Sequence, residues 1–268
     1  MSPADDASSA VPSTKSGITA EEWEIRVDLA ACYRLVDHYG MCDMHLNHIS
    51  ARVPGVEEHF LINPFGMMYE EITASSLIKL DLDGKIIANS NPDYGVNLPG
   101  YVIHSAIHRA RPDAKCVLHT HTPAGMAVAS LECGLLQMKQ TAMRFGKVAY
   151  HDYEGVVVNL DEQQRLVDNL GDCEVMIMRN HGLLAVGATI ATAFANIVRL
   201  ERACHAQLLA MACNTPLHMP SQDVIELSNR QLSRSPTPDV SGNRPPQGLI
   251  EWPALKRMLD RRDASYKT

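Results

Sequence analysis

The chain has 268 residues, 46% hydrophobic and 21% charged, a globular rather than a disordered composition. A formal net charge of −7 argues against nucleic acid or an anionic membrane as partner, and no apolar run approaches the ~20 residues that span a bilayer. Seven widely spaced cysteines with no CxxC pair speak against a disulfide framework or a thiolate zinc site and point to a reducing, cytoplasmic setting.

Residues 1–17, rich in Ser, Ala and Pro with no apolar core, read as a disordered tail rather than a secretory signal. Thr19 with Glu22 three positions on forms a capping box, and apolar residues from Trp23 to Val36 predict a helix ending at Gly40. Short strands follow at 47–53 and 60–63, and a hairpin over 77–88 turns at Asp83-Gly84. Glu70-Glu71 suits the start of a helix. A helix is predicted over 95–110, a buried strand over 115–121, a small-residue helix over 126–131 and a strand over 147–150. Then come a helix over 160–170, strands over 174–179 and 183–186, and a long helix from Thr189 to Ala212. Residues 18–215 thus form one αβ domain. A C-terminal extension over 216–268 carries a proline-rich mobile linker at 233–247 and a last amphipathic helix, Trp252–Arg262, expected to dock through Trp252, Leu255 and Leu259.

The chemistry concentrates in histidines. In His119-Thr120-His121, residues two apart on a strand share a face, so both imidazoles can reach one metal; two packed histidines are the alternative. The pair stands where a strand turns into a helix, a common position for ligands in α/β proteins. Arg179-Asn180-His181-Gly182 follows another buried strand and offers a third imidazole. Three neutral nitrogens with an open face are the donor set of a catalytic metal, whose occupancy is expected to fall as pH drops toward about 6. His104 and His108, one helical turn apart, could share a metal but are read as buried hydrogen-bonded residues; His45 and His48 are read as surface or loop residues, with His48 next to Asn47 at the expected pocket. His151 and Tyr153 are read either as packed strand-and-turn residues or as proton donors.

Several blocks occur in order: Asn47-His48-Ile49-Ser50-Ala51-Arg52, Asn63-Pro64-Phe65-Gly66, His104-Ser105-Ala106-Ile107, Arg111-Pro112-Asp113, His119-Thr120-His121-Thr122-Pro123-Ala124-Gly125, Ala149-Tyr150-His151-Asp152-Tyr153-Glu154-Gly155 and Arg179-Asn180-His181-Gly182-Leu183. Over about Thr19 to Ala212 the sequence resembles the class II aldolase/adducin family, with two of these blocks nearest its adducin branch. The resemblance implies an αβα sandwich around a central, mostly antiparallel sheet and a homotetramer with sites near subunit interfaces. It also implies a divalent metal, zinc first and manganese, iron or cobalt next, on His119, His121 and His181, and a substrate site that includes Asn47, Gly66 and Gly100.

The departures narrow the substrate. Where the family's aldolases place a metal-binding, acid/base glutamate after two serines, this chain has Leu98-Pro99-Gly100, and Phe65 replaces a phosphate-binding threonine. The segment expected from a neighbouring subunit, Met138-Lys139-Gln140-Thr141-Ala142, has no carboxylate. The sequence therefore predicts a lyase that cleaves or decarboxylates a small carbonyl or carboxylate compound rather than a phosphosugar, with Tyr153, Gln140 and Thr141 as catalytic candidates. The alternative is a non-catalytic binding protein that keeps the metal site.

Overall fold

In the computed structural model, the described residues are 13–14, 17–56, 58–155, 160–232, 242, 245–246 and 248–268. Most of the stretch 1–17 and of the predicted linker 233–247 lies outside them. Within the first stretch, Ser13–Thr14 pairs antiparallel with Ile18–Thr19.

Eight strands form the central sheet: β1 (His48–Arg52), β2 (His59–Ile62), β3 (Ile78–Asp81), β4 (Ile86–Ala88), β5 (Cys116–Thr120), β6 (Ala149–His151), β7 (Val175–Met178) and β8 (Gly182–Gly187). Their order is β4-β3-β2-β1-β5-β8-β7-β6, and every pair is antiparallel except β6 with β7. The helices are α1 (Ala20–His38), α2 (Leu98–Ala110), α3 (Pro123–Ala129), α4 (Gln140–Met143), α5 (Leu160–Leu170), α6 (Ile190–Ala212), α7 (Gln222–Leu232) and α8 (Trp252–Arg262).

Alternation along the central strands builds two cores. On one face Ile49, Leu118, Ile177 and Leu183 pack against Leu29 and Val36 of α1, Val128 of α3, and Ile197 and Leu200 of α6. On the other, Val117, Met176, Leu184 and Val186 pack against Val102, Ile103 and Ile107 of α2 and Leu166 and Leu170 of α5. Both faces of β5, β7 and β8 are covered, which is why those segments read as unbroken apolar runs. The outcome is the three-layer sandwich that the resemblance implied.

The structure adjusts several sequence expectations. The predicted strand 115–121 ends at Thr120, so His121 stands just beyond β5. The helix expected over 95–110 starts at Leu98, because the Asn97 side chain accepts the Gly100 N–H and caps it there. The turn Thr122–Gly125 is itself the first turn of α3, with Thr122 as cap. Helices α4 and α7 were not foreseen; they brace each other through Asn229 Nδ2, which donates to the Arg144 carbonyl at 2.7 Å. Helix α8 docks on α1: Trp252 is 7% and Leu259 5% exposed, and Trp252 Nε1 and Lys256 Nζ both donate to the Asp28 carboxylate.

At the end of the β1–β2 ladder that leads to the histidines, a side chain completes the pairing. Continued in register, Ile49 and Asn63 stand opposite each other two positions beyond Ala51 and Leu61. The hydroxyl of Tyr33 on α1 lies between them, accepting both backbone N–H groups at 2.9 and 3.1 Å, and its one hydrogen has the Ile49 carbonyl or Asn63 Oδ1 within reach. The ring is fully buried and packs edge-on against Tyr69. Removing the oxygen leaves two buried N–H groups unpaired. We predict that Tyr33→Phe destabilises the fold by about 1–3 kcal/mol, read from the midpoint of urea unfolding; an unchanged midpoint would show that the strands close without it.

Candidate metal centre

Strands β5 and β8 run antiparallel with Thr120 opposite Leu183 and His119 opposite Leu184. The exit of β5 and the entry of β8 therefore meet at one edge of the sheet. His121 leaves β5 there, and His181 stands one residue before β8. Gly182 is required at this crossing, since a Cβ on it would collide with the Thr120 carbonyl oxygen. Asn180 supplies the turn with φ 54°, a left-handed conformation that Asn tolerates. The turn is tied down by Arg179 N–H donating to the His151 carbonyl at 2.7 Å and Asn180 N–H to the Ala129 carbonyl at 3.2 Å.

The three imidazoles converge through their Nε2 atoms. Nε2 of His121 lies 2.8 Å from that of His119 and 3.0 Å from that of His181. Among the described residues, these three form the one cluster of potential metal ligands. Nδ1 of His119 faces the Leu183 carbonyl at 2.9 Å, and a carbonyl only accepts, so Nδ1 carries the proton and Nε2 the lone pair. His121 Nδ1 likewise faces the Asp43 carboxylate at 3.1 Å. Lone pairs held this close repel one another unless a cation lies between them. Ring tautomers fixed by a carbonyl and a carboxylate behind the ligating nitrogens are the usual second layer of a metal site. The donor set thus fits a divalent ion.

Burial, reinforced by the neighbouring imidazoles, holds His119 well below the ordinary histidine range and His181 down to about 4. Protons therefore compete for these two donors at a lower pH than the value near 6 that sequence alone suggested.

The other site residues fall into distinct positions. Asn47 is buried; its Oδ1 accepts from Asp43 N–H at 2.6 Å, so it holds the loop whose carboxylate orients His121, and its Nδ2 finds no partner among the described residues. Gly66, at φ 107°, turns the chain after β2, and the adjacent Phe65 N–H pairs with the Gly95 carbonyl ahead of α2. Gly100 is buried in the first turn of α2. Tyr153 is 53% exposed, and its ring centroid lies 6.4 Å from that of His181. His151, by contrast, is a packed residue that faces Glu162 at 3.2 Å and Asn169 at 2.9 Å. Gln140 and Thr141 sit on α4, which packs on α6 and α7; no hydrogen bond or ring contact among the described residues links them to the three histidines.

Two residues gain a place that sequence did not assign. Asp43 is an unremarkable loop carboxylate until the fold brings it to His121. His48, expected at the surface or in a loop, is buried at 4% exposure on β1, directly opposite His119, with the two rings stacked at 5.1 Å. Behind it, His104 and His108 are buried on α2 and hydrogen-bonded, as the sequence reading held. Burial drives His48 and His104 well below their ordinary values and His108 to about 3.

These depressed values make the fold acid-sensitive. Below the ordinary histidine value of about 6.5 the unfolded chain takes up protons that the folded chain refuses, so stability is complete above that pH and is lost as pH falls toward 4 and 3. With metal chelated throughout, the urea midpoint is expected to fall clearly between pH 7.5 and 5.5; a midpoint constant across that range would contradict the neutral, buried state of these rings.

Comparisons with known proteins bear on the family and the fold. A sequence model of the Class II Aldolase and Adducin N-terminal domain matches residues 27–208. Alpha-adducin of Rattus norvegicus is 45% identical over 251 residues, which are 91% of this chain but 34% of that protein. The crystal structure of an aldolase II superfamily protein from Pseudomonas syringae superposes with a TM-score of 0.86 at 44% identity, covering 96% of this chain and 100% of that one. The L-fuculose 1-phosphate aldolase from Glaciozyma antarctica PI12 does so with 0.80 at 28% identity, over 96% and 97%. A matching domain, close relatives and a shared sandwich together place this chain in the class II aldolase and adducin family.

Proposed function

We propose that the protein is a metal-dependent lyase that breaks a carbon–carbon bond, by retro-aldol cleavage or decarboxylation, in a small carbonyl or carboxylate compound. The observation that carries this reading is the convergence of three imidazole Nε2 atoms at the crossing of β5 and β8. His119, His121 and His181 would hold a divalent ion, zinc by preference, with manganese, iron or cobalt as alternatives. Such an ion, when bound, draws electron density from a substrate carbonyl and lowers the barrier to breaking the adjacent bond.

The chain's own residues would do the rest. Leu183 and Asp43 hold two of the imidazoles in one tautomer and one direction. Gly100 brings no competing ligand beside the site, where the His48 ring lies against it instead, and the buried Asn47 and the Gly66 turn would border the substrate. Tyr153, exposed beside His181, offers a hydroxyl to donate a proton. Gln140 and Thr141 would enter from a neighbouring copy, which requires a homo-oligomer, a tetramer by family resemblance. A phosphosugar fits poorly, because the first turn of α2 is Leu98-Pro99-Gly100: an apolar side chain, an imino acid and a glycine bring no hydroxyl to a dianion. Seven unbridged cysteines favour a cytoplasmic setting.

A second reading keeps the metal but not the catalysis. The likeness to alpha-adducin and the missing carboxylate at position 100 favour a binding protein. A thermal-shift screen separates the two. Stabilisation by several 2-oxo or hydroxy acids, abolished by EDTA, is the outcome for the lyase; no response over a broad panel would favour the binding protein, and a tight phosphosugar complex would overturn the substrate assignment.

Metal analysis of protein purified without chelator should find about one divalent ion per chain, lost in His119→Ala. Equal metal content in both would refute the centre. Asp43→Ala removes only the support of His121, so metal affinity should drop by roughly 10–100-fold with little change in stability after chelation; unaltered affinity in competition titrations would show that His121 needs no such support.

A further inference from the structure

Gly100 and His48 explain each other. A Cβ built on Gly100 would lie 2.6 Å from Cδ2, 2.9 Å from Cγ and 3.1 Å from Nε2 of His48. No side chain fits at position 100 while the imidazole is there, so the ring occupies the space into which a residue at 100 would first project. It does so stacked on His119, one of the three converging ligands.

Behind His48 runs a chain of hydrogen bonds whose direction is set from its far end. Nδ1 of His108 faces the Ala114 carbonyl at 3.2 Å, and a carbonyl only accepts, so that nitrogen carries the proton. Nε2 of His108 must then accept, and Ser50 Oγ, 2.7 Å away, donates to it. With its single hydrogen committed, Ser50 Oγ accepts from Nδ1 of His104. Nε2 of that neutral ring is left to accept, and Nδ1 of His48 donates to it at 2.8 Å. Ser50, His104 and His108 are completely buried, and His48 alone keeps 4% exposure. Every proton in the chain points away from the metal centre, and Nε2 of His48 ends it as a lone pair with no protein partner among the described residues.

We infer that Nε2 of His48 is the hydrogen-bond acceptor for a substrate hydroxyl, and that the site therefore prefers a hydroxy acid to the 2-oxo acid of the same skeleton. The preference rests on the metal-dependent reading above; the orientation of His48 does not. An oxo group has no proton to give Nε2 and meets it lone pair to lone pair. Ser50, His104 and His108 act as positioning residues, since they hold the His48 tautomer without reaching the substrate.

The tautomer is tested on the zinc-loaded protein by long-range proton–nitrogen NMR correlations of the His48 ring. The expected pattern has the proton on Nδ1 and none on Nε2; a proton on Nε2 overturns the inference while leaving the proposed lyase intact. Recognition is tested by calorimetry with L-lactate and pyruvate as probes. Zinc-loaded wild type is expected to bind lactate about tenfold more tightly, the worth of one buried hydrogen bond. His48→Phe keeps a ring but no acceptor, and should lose about that factor for lactate while changing pyruvate by less than about twofold. Should that variant fold poorly, Ser50→Ala cuts the chain two links back. It should cost lactate about threefold, with the zinc content unchanged. Equal loss for both probes, or none, overturns the role of His48. Zinc bound with neither acid recognised overturns this preference.

Discussion

Six imidazoles lie at one end of the sheet, and the rest of the site depends on where their protons sit. A charged imidazolium is costly to bury, and several side by side are costlier still. The fold meets this constraint by giving nearly every ring nitrogen a defined partner. Leu183 and Ala114 take protons with their carbonyls, Asp43 takes one with its carboxylate, and Ser50 passes one between two rings. What remains is three Nε2 atoms facing one another, and a lone pair beside them on His48.

The sheet order makes this possible. Strand β5 is flanked by β8 on one side and β1 on the other, so its exit gathers residues from three distant parts of the chain. His119 is paired across to His48 and hydrogen-bonded across to Leu183. Helix α2 covers that face and brings His104 and His108 over β1. Gly100 and Gly182 stand where another group comes too close for a side chain.

Much of this could be read from residues alone, and the limits have physical causes. The apolar runs of β5, β7 and β8 announced buried strands, and the HxH spacing together with Asn180-His181-Gly182 marked three histidines that the fold brings together, because each pattern is local. His48 carried no such local mark. It is one imidazole at the start of a strand, and only the pairing of β1 with β5, set by contacts far apart in sequence, places it opposite His119. Asp43 was invisible for the same reason, as a loop residue whose meaning comes from the ring it faces. Helix α4 is a single turn, and the exposed α7 has no buried residue, so neither left a core-facing stripe to recognise. Gly100 was seen as a missing carboxylate, whereas the structure shows what fills its place.

The central claim is that three histidine nitrogens, and no sulfur, hold one divalent ion. X-ray absorption at the zinc edge of the loaded protein reads this directly. The expected spectrum has nitrogen and oxygen neighbours at about 2.0–2.1 Å, with outer scattering from three imidazoles that falls to two in His181→Ala. A sulfur scatterer at about 2.3 Å, or an imidazole count unmoved by that substitution, would contradict it.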